Sequence, residues 1–206
     1  MKSAKSLTML LVFAGLTLTS GCVGRLIDEG IEKGLGPTAK VCSLEPRLPE
    51  KASNYLAAYK SFELVQPVRS EFPDTPGEFM SYFPARLQEQ LASKGLPVGR
   101  GGKTLLIGVT ILGYQPVSSY NKVLGPTEEV IARVELTDKD TGKVVAKAIC
   151  IGRTYQSVGL GPKWKAWGLS RAIVNNWIDN CYPKEGRIET DEKAPASEGK
   201  EAPPAE

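Results

Sequence analysis

Three stretches in the middle of the chain alternate apolar and polar residues with a period of two, and this pattern limits the possible folds more than any other feature. In residues 103–114, KTLLIGVTILGY, the side chains of Leu105, Ile107, Val109 and Ile111 share one side. In residues 128–138, EEVIARVELTD, Val130, Ala132, Val134 and Leu136 point one way and Arg133 and Glu135 the other. Residues 144–155, VVAKAICIGRTY, make a third such run. Side chains of a strand alternate between the two faces of a sheet, so each run reads as a strand with one face on a core. DKDTGK, between the second and third runs, is turn chemistry and makes them a hairpin. The inward face of the third run stays open, because Val145, Ile149 and Ile151 compete with Ala146, Ala148 and Cys150.

Helical periodicity flanks this region. Residues 74–95 place Phe79, Phe83, Leu87 and Leu91 four apart, a single buried stripe. Thr75 is the expected N-cap, Pro76 suits the first helical position and Glu78 would close a capping box. Gly95 ends the helix, and Pro84, which lacks a donor, should kink or split it. Residues 162–180 form a second amphipathic helix with Leu169, Ile173 and Trp177 inward. Upstream, YKSFELVQP at 59–67 reads as a first strand carrying Phe62 and Leu64 on one face. The order is therefore βαβββα. It predicts an α+β two-layer sandwich: a four-stranded, mostly antiparallel sheet with two helices on one face.

The amino terminus carries a different signal. Lys2 and Lys5 precede an apolar run of about a dozen residues, too short for a bilayer span of roughly 20. Charge, short apolar core and small residues at the end make a signal peptide. The run closes on Ser20-Gly21-Cys22, which resembles the lipobox of bacterial lipoproteins, with Thr19 where Leu is commonest. The resemblance implies that Cys22 is lipidated and becomes the first mature residue, with several acyl chains holding it on a membrane. Val23 follows rather than Asp, which by resemblance to enterobacterial sorting favours the outer membrane, on its periplasmic face. The expected division is a signal peptide at 1–21, a tether at 22–54, an α/β domain at 55–182 and a disordered tail at 183–206. The tail holds one Ile and no aromatic residue beyond Tyr182, too little apolar surface to offset its ordering entropy.

Composition excludes several function classes. Cleavage removes Lys2 and Lys5, so the 26 basic residues drop by two against 23 acidic ones, and the mature charge is near +1. No basic nucleic-acid surface is indicated. The chain has no histidine, which removes Ser–His and Cys–His catalysis and the commonest zinc ligand. Cys42, Cys150 and Cys181 have no C-x-x-C spacing, so neither a metal site nor a thioredoxin-like site has a basis. Gly102-Lys103-Thr104 ends like a phosphate-binding loop, but Pro97 stands where the first glycine belongs, and the stretch joins helix to strand rather than strand to helix. Asp138 and Asp140 fall in a tight turn, where Asp is expected for backbone hydrogen bonding. The expectation is a protein that is not an enzyme and takes no cofactor, metal, nucleotide or nucleic acid.

The lipobox, this element order and the hairpin RVELTDKDTGKVVAKA together resemble a family of small bacterial lipoproteins of unknown function. More distantly, they are similar to the domain of the TolB amino-terminal region and of the lipoprotein activators of penicillin-binding proteins. The resemblance implies a non-enzymatic domain that binds an envelope protein, as an adaptor or assembly factor. A small-ligand or glycan-binding lipoprotein is the alternative, and a deep apolar pocket would favour it.

Two further expectations concern particular residues. An oxidising envelope would favour a bridge, Cys42–Cys181 first and Cys150–Cys181 next, with no bridge as the third case. Short connections make the last three strands run up, down and up, so the ends of the first and third of these share one edge. There the chain continues as YQPVSSYNKVLGP and YQSVGLGPKW, both opening on Tyr-Gln and both containing Leu-Gly-Pro. Long loops at one end of a rigid scaffold often carry binding. Tyr114, Tyr120, Tyr155, Trp164 and Trp167 are the candidate partner-binding residues at this edge, unless they only pack the loops against the last helix.

Overall fold

In the computed structural model, residues 37–49, 53–115, 128–154 and 161–187 are described. They form β1 (Thr38–Leu44), β2 (Ser61–Leu64), β3 (Arg69–Ser70), α1 (Gly77–Ser93), β4 (Thr104–Gln115), β5 (Glu128–Asp138), β6 (Val144–Thr154) and α2 (Gly161–Ile173). The sheet therefore has six strands, not four, in the order β1-β6-β5-β4-β2 with β3 also on β4. The β4–β5–β6 meander is antiparallel, as expected. The short β2 and β3 run parallel to β4, so the strand expected at 59–67 is confined to Ser61–Leu64 and a second, two-residue strand follows it. β1 was hidden in the expected tether and pairs antiparallel with β6. Its alternation is weak because Ala39 and Val41 are only half-buried and Thr38, Lys40 and Cys42 are exposed.

All four stripe residues of α1 are buried, and so are the inward sets of β4 and β5. β6 turns Ala146, Ala148 and Cys150 to the core and leaves Val145, Ile149 and Ile151 half-exposed on the open face. The small inward set is what lets α2 approach. A Cβ on Gly152 would lie 2.5 Å from the Leu169 nitrogen and 2.7 Å from the Gly168 carbonyl carbon. Leu169, Ile173 and Trp177 are buried as expected, with Trp177 in a π-helical turn, Val174–Ile178, that continues α2.

The start of α1 differs from expectation. Thr75 does not cap it: its hydroxyl donates to the Phe72 carbonyl and lies 2.7 Å from Ser70 Oγ, closing the preceding turn. Pro76 is the N-cap, in an extended conformation without a side-chain cap bond. Pro84 does not split the helix, which runs through it for 17 residues. An interior proline costs about 3 kcal/mol. Full burial of two Phe and two Leu side chains, each worth about 1.5–3 kcal/mol, outweighs that. Residues 183–187, expected in the tail, are part of the folded domain. Arg187 donates to the carbonyls of Lys94, Asp179 and Tyr182 and pairs with the Asp179 carboxylate at 2.5 Å, which fixes the chain against the end of the last helix.

Candidate functional site

The ends of β4 and β6 lie at the same edge of the sheet, with the start of β5 between them: Gln115 pairs with Glu129, and Glu128 with Thr154. The connections that follow, 116–127 and 155–160, lie outside the described residues, and Tyr120 and Tyr155 with them. So do Cys22 and the residues around it. The first turns of α2 sit on this edge. Lys165, only 4% exposed, donates to the Gln115 carbonyl at 3.1 Å and holds its ammonium 3.8 Å from the centre of the Tyr114 ring.

Tyr114 is a core residue, contrary to its expected place on a binding rim. The reason is a β-bulge between Ile111 and Gly113, which inserts one residue and reverses the alternation. Tyr114 thereby turns inward and meets Phe79 edge-to-face at 5.4 Å. Trp164 and Trp167 remain half-buried and pack edge-to-face at 4.6 Å. Arg171 lies one turn on, its guanidinium 5.8 Å from the Trp167 ring, and it donates to the Pro37 carbonyl at the start of β1. Lys163 covers Tyr82 of α1 at 4.9 Å. Of the expected residues that are described, the structure thus brings together only Trp164 and Trp167, while Tyr114 lies beneath Lys165 in the core; Tyr82, Lys163, Lys165 and Arg171 are neighbours that the sequence reading missed. The Lys-Trp-Lys order of 163–165 and the four-residue spacing of Trp167 and Arg171 were the available signals. Arg153 of β6 and Glu129 of β5 pair on the same edge. Chemically, Trp164, Trp167, Lys163 and Arg171 offer aromatic faces and cations, groups that can stack and make cation–π contacts.

The opposite edge holds a buried carboxylate. Asp138 accepts the backbone N–H groups of Asp140 and Thr141, as the turn chemistry predicts. Its other oxygen takes the Tyr59 hydroxyl at 3.0 Å and the Lys103 ammonium at 2.9 Å. Lys103 beside it, with these hydrogen bonds, holds the Asp138 carboxyl far below the usual carboxylate range. Burial, and then the bond to Asp138, push the Tyr59 hydroxyl up to about 12. Lys103 of the phosphate-loop near miss is thus spent on an internal ion pair. A depressed carboxyl contributes stability above its ordinary value of 3.8 and loses it as pH falls through the folded-state value. The thermal midpoint of the parent should therefore fall more steeply below about pH 4 than that of Asp138→Asn, which should already be less stable at pH 7. Identical pH slopes in thermal melts would refute this role.

Cys42, Cys150 and Cys181 are all free thiols, so neither expected bridge is formed. Cys42 is exposed on the open side of β1, whereas Cys181 is buried among core side chains on the helix side. The sheet separates them. Burial pushes the Cys150 and Cys181 thiols up, away from the reactive thiolate. Among the described residues no three His, Cys, Asp or Glu side chains gather as a metal site. A groove of about 220 Å³ on the open sheet face is lined by Arg69 and Glu135 as well as Val65 and Leu106. Another, of about 470 Å³, borders the Tyr59–Asp138–Lys103 cluster. Charged side chains line both, so neither is the deep apolar pocket of a small-ligand binder.

No protein-family model and no curated protein sequence matches the chain. Among solved structures, it is similar to PelC from Paraburkholderia phytofirmans, solved as a dodecamer, with 13% identity and a TM-score of 0.46 over 71% of this chain and 99% of that one. A PDZ domain protein from Parabacteroides distasonis is similar at 12% identity and a TM-score of 0.39, over 73% of this chain and 37% of that one. A minor lipoprotein from Acinetobacter baumannii is similar at 14% identity and a TM-score of 0.31, over 61% of this chain and 95% of that one.

Proposed function

We propose that the chain is an outer-membrane lipoprotein, anchored through Cys22, whose domain binds an envelope protein as an adaptor or assembly factor. The observation that supports partner binding most is the Trp164–Trp167 pair with Lys163 and Arg171 beside it. These side chains are fixed by α2 at the edge from which two long connections leave the sheet. Rigid aromatics flanked by cations offer large contact area at low entropic cost, and Trp, Tyr and Arg dominate interface hot spots. The anchor rests on the sequence alone: a short apolar run that ends on small-Gly-Cys. The relation to small envelope lipoproteins is part of the same proposal.

A photo-crosslinking residue in place of exposed Lys163, in the full chain in cells, should capture an envelope protein, whereas one in place of Arg86 on α1 should not. Trp167→Ala should weaken that capture by about 30-fold, the loss expected for a hot-spot residue worth about 2 kcal/mol. Cys22→Ser should abolish acyl labelling and leave the chain soluble or unprocessed. Unchanged capture in Trp167→Ala would refute the site, and normal membrane fractionation of Cys22→Ser would refute the anchor.

A further inference from the structure

β1 is an edge strand. Among the described residues no strand pairs with it on the side away from β6. The Lys147 N–H of β6 points towards β1, where it reaches the Pro46 carbonyl. Bond direction alternates along an antiparallel pair. Thr38, Lys40, Cys42 and Leu44, opposite Arg153, Ile151, Ile149 and Lys147, therefore spend their backbone groups on β6. Ala39, Val41 and Ser43 turn theirs outward. The Asn176 side chain confirms this direction by donating to the Ala39 carbonyl at 2.7 Å. Asn176 covers one end of the edge and leaves Val41 and Ser43 to be paired. No proline interrupts Thr38–Leu44, and the only charge on it is Lys40. Native edges are usually blunted by more than this.

We infer that β1 pairs antiparallel with β1 of a second copy of this chain, about a two-fold axis at Cys42. In that register Val41 lies opposite Ser43 of the second copy, and the four outward N–H and C=O pairs of these residues satisfy one another. Lys40 lies opposite Leu44, so the two Lys40 ammonium groups stay apart, about 13 Å along the strands at roughly 3.3 Å per residue. Cys42 occupies a non-hydrogen-bonded site opposite its own copy, where Cα atoms stand about 4.5 Å apart. That spacing falls within the 4.4–6.8 Å or so that a disulfide spans. A five-residue edge buries less than the roughly 1,000 Å² of a stable interface. The pairing is therefore weak in dilute solution and favoured where copies are concentrated, as on a membrane. The inference goes beyond the adaptor reading and uses an edge of the sheet that the Trp164–Trp167 surface does not.

The test is oxidative crosslinking of the full-length protein in isolated membranes with diamide, which takes up the two protons and two electrons released as two thiols join. A dimer on non-reducing gels is expected in the parent and absent in Cys42→Ser. In the Cys42→Ser background, Lys40→Cys and Leu44→Cys expressed together should crosslink, while either alone should not. Ser43→Pro, which removes an outward N–H and no bond to β6, should abolish the parent crosslink and leave the thermal midpoint unchanged. Equal self-crosslinking of the parent and of the Lys40→Cys and Leu44→Cys chains would show random collision and overturn the pairing, as would a crosslink that survives Ser43→Pro. The same series on Cys22→Ser chains at high concentration separates pairing from anchoring. The register pattern persists there if the edge pairs, whatever becomes of the anchor, and no dimer in either setting overturns the inference.

Discussion

Gly152→Ala should destabilise the domain by about 3 kcal/mol, the upper end for overpacking a close contact. For a domain of this size that lowers the thermal midpoint on the order of 10 °C. The added Cβ would stand 2.5 Å from a backbone nitrogen and 2.7 Å from a backbone carbon of α2, neither of which can rotate away. Relief requires α2 to lift from β6, which loosens Ala166, Leu169 and Ile173 together. Gly77→Ala is the matched control: its Cβ meets nothing within 4 Å, so its stability should stay within about 0.5 kcal/mol of the parent. Differential scanning fluorimetry of the two variants checks both. Equal midpoints would mean that α2 does not sit this close to β6.

Phe79→Ala should cost about 3–5 kcal/mol, the usual range for deleting a fully buried aromatic side chain. Phe79 has no exposed surface, stacks on Phe83 at 5.8 Å and meets Tyr114 edge-to-face. Its loss should also reach the candidate site. Tyr114 supports the Lys165 ammonium, and Lys165 ties the first turns of α2 to the end of β4. The tryptophan fluorescence should shift to the red in Phe79→Ala under folding conditions. Leu91→Ala, at the far end of the same stripe, should lose about 2–5 kcal/mol without that shift. Chemical denaturation gives the energies. A red shift in both variants or in neither would break the proposed link between the α1 core and the α2 surface.

Wherever one local pattern determined the outcome, it was legible in the chain. Leu105, Ile107, Val109 and Ile111, Val130 to Leu136, and the α1 stripe are buried as their spacing requires, because a two- or four-residue repeat selects one face whatever packs on it. The Asp138 turn followed from Asp chemistry in the same way. Tyr114 was misread because a single inserted residue reverses the alternation, and nothing in ILGYQ marks the bulge until β5 is laid beside it. β1 was missed for a related reason: a half-buried edge strand has little apolar contrast of its own, and TAKVCSL becomes a strand only through β6.

The sequence by itself determined the meander, both helices, the direction of the strands and therefore the edge at which α2 begins. These depend on periodicity and turn residues that act over a few positions. Only the tertiary structure decided which face of β6 turns inward, since Val145, Ile149 and Ile151 are as apolar as the alternatives. Packing chose Ala146, Ala148, Cys150 and Gly152 because α2 lies too close for a larger side chain at Gly152. The same closeness placed Cys42 on the open side of the sheet and Cys181 on the helix side, a separation that no count of cysteines could show. Contacts between residues far apart in the chain are fixed by the volume left between sheet and helix, and that volume exists only once the layers have met.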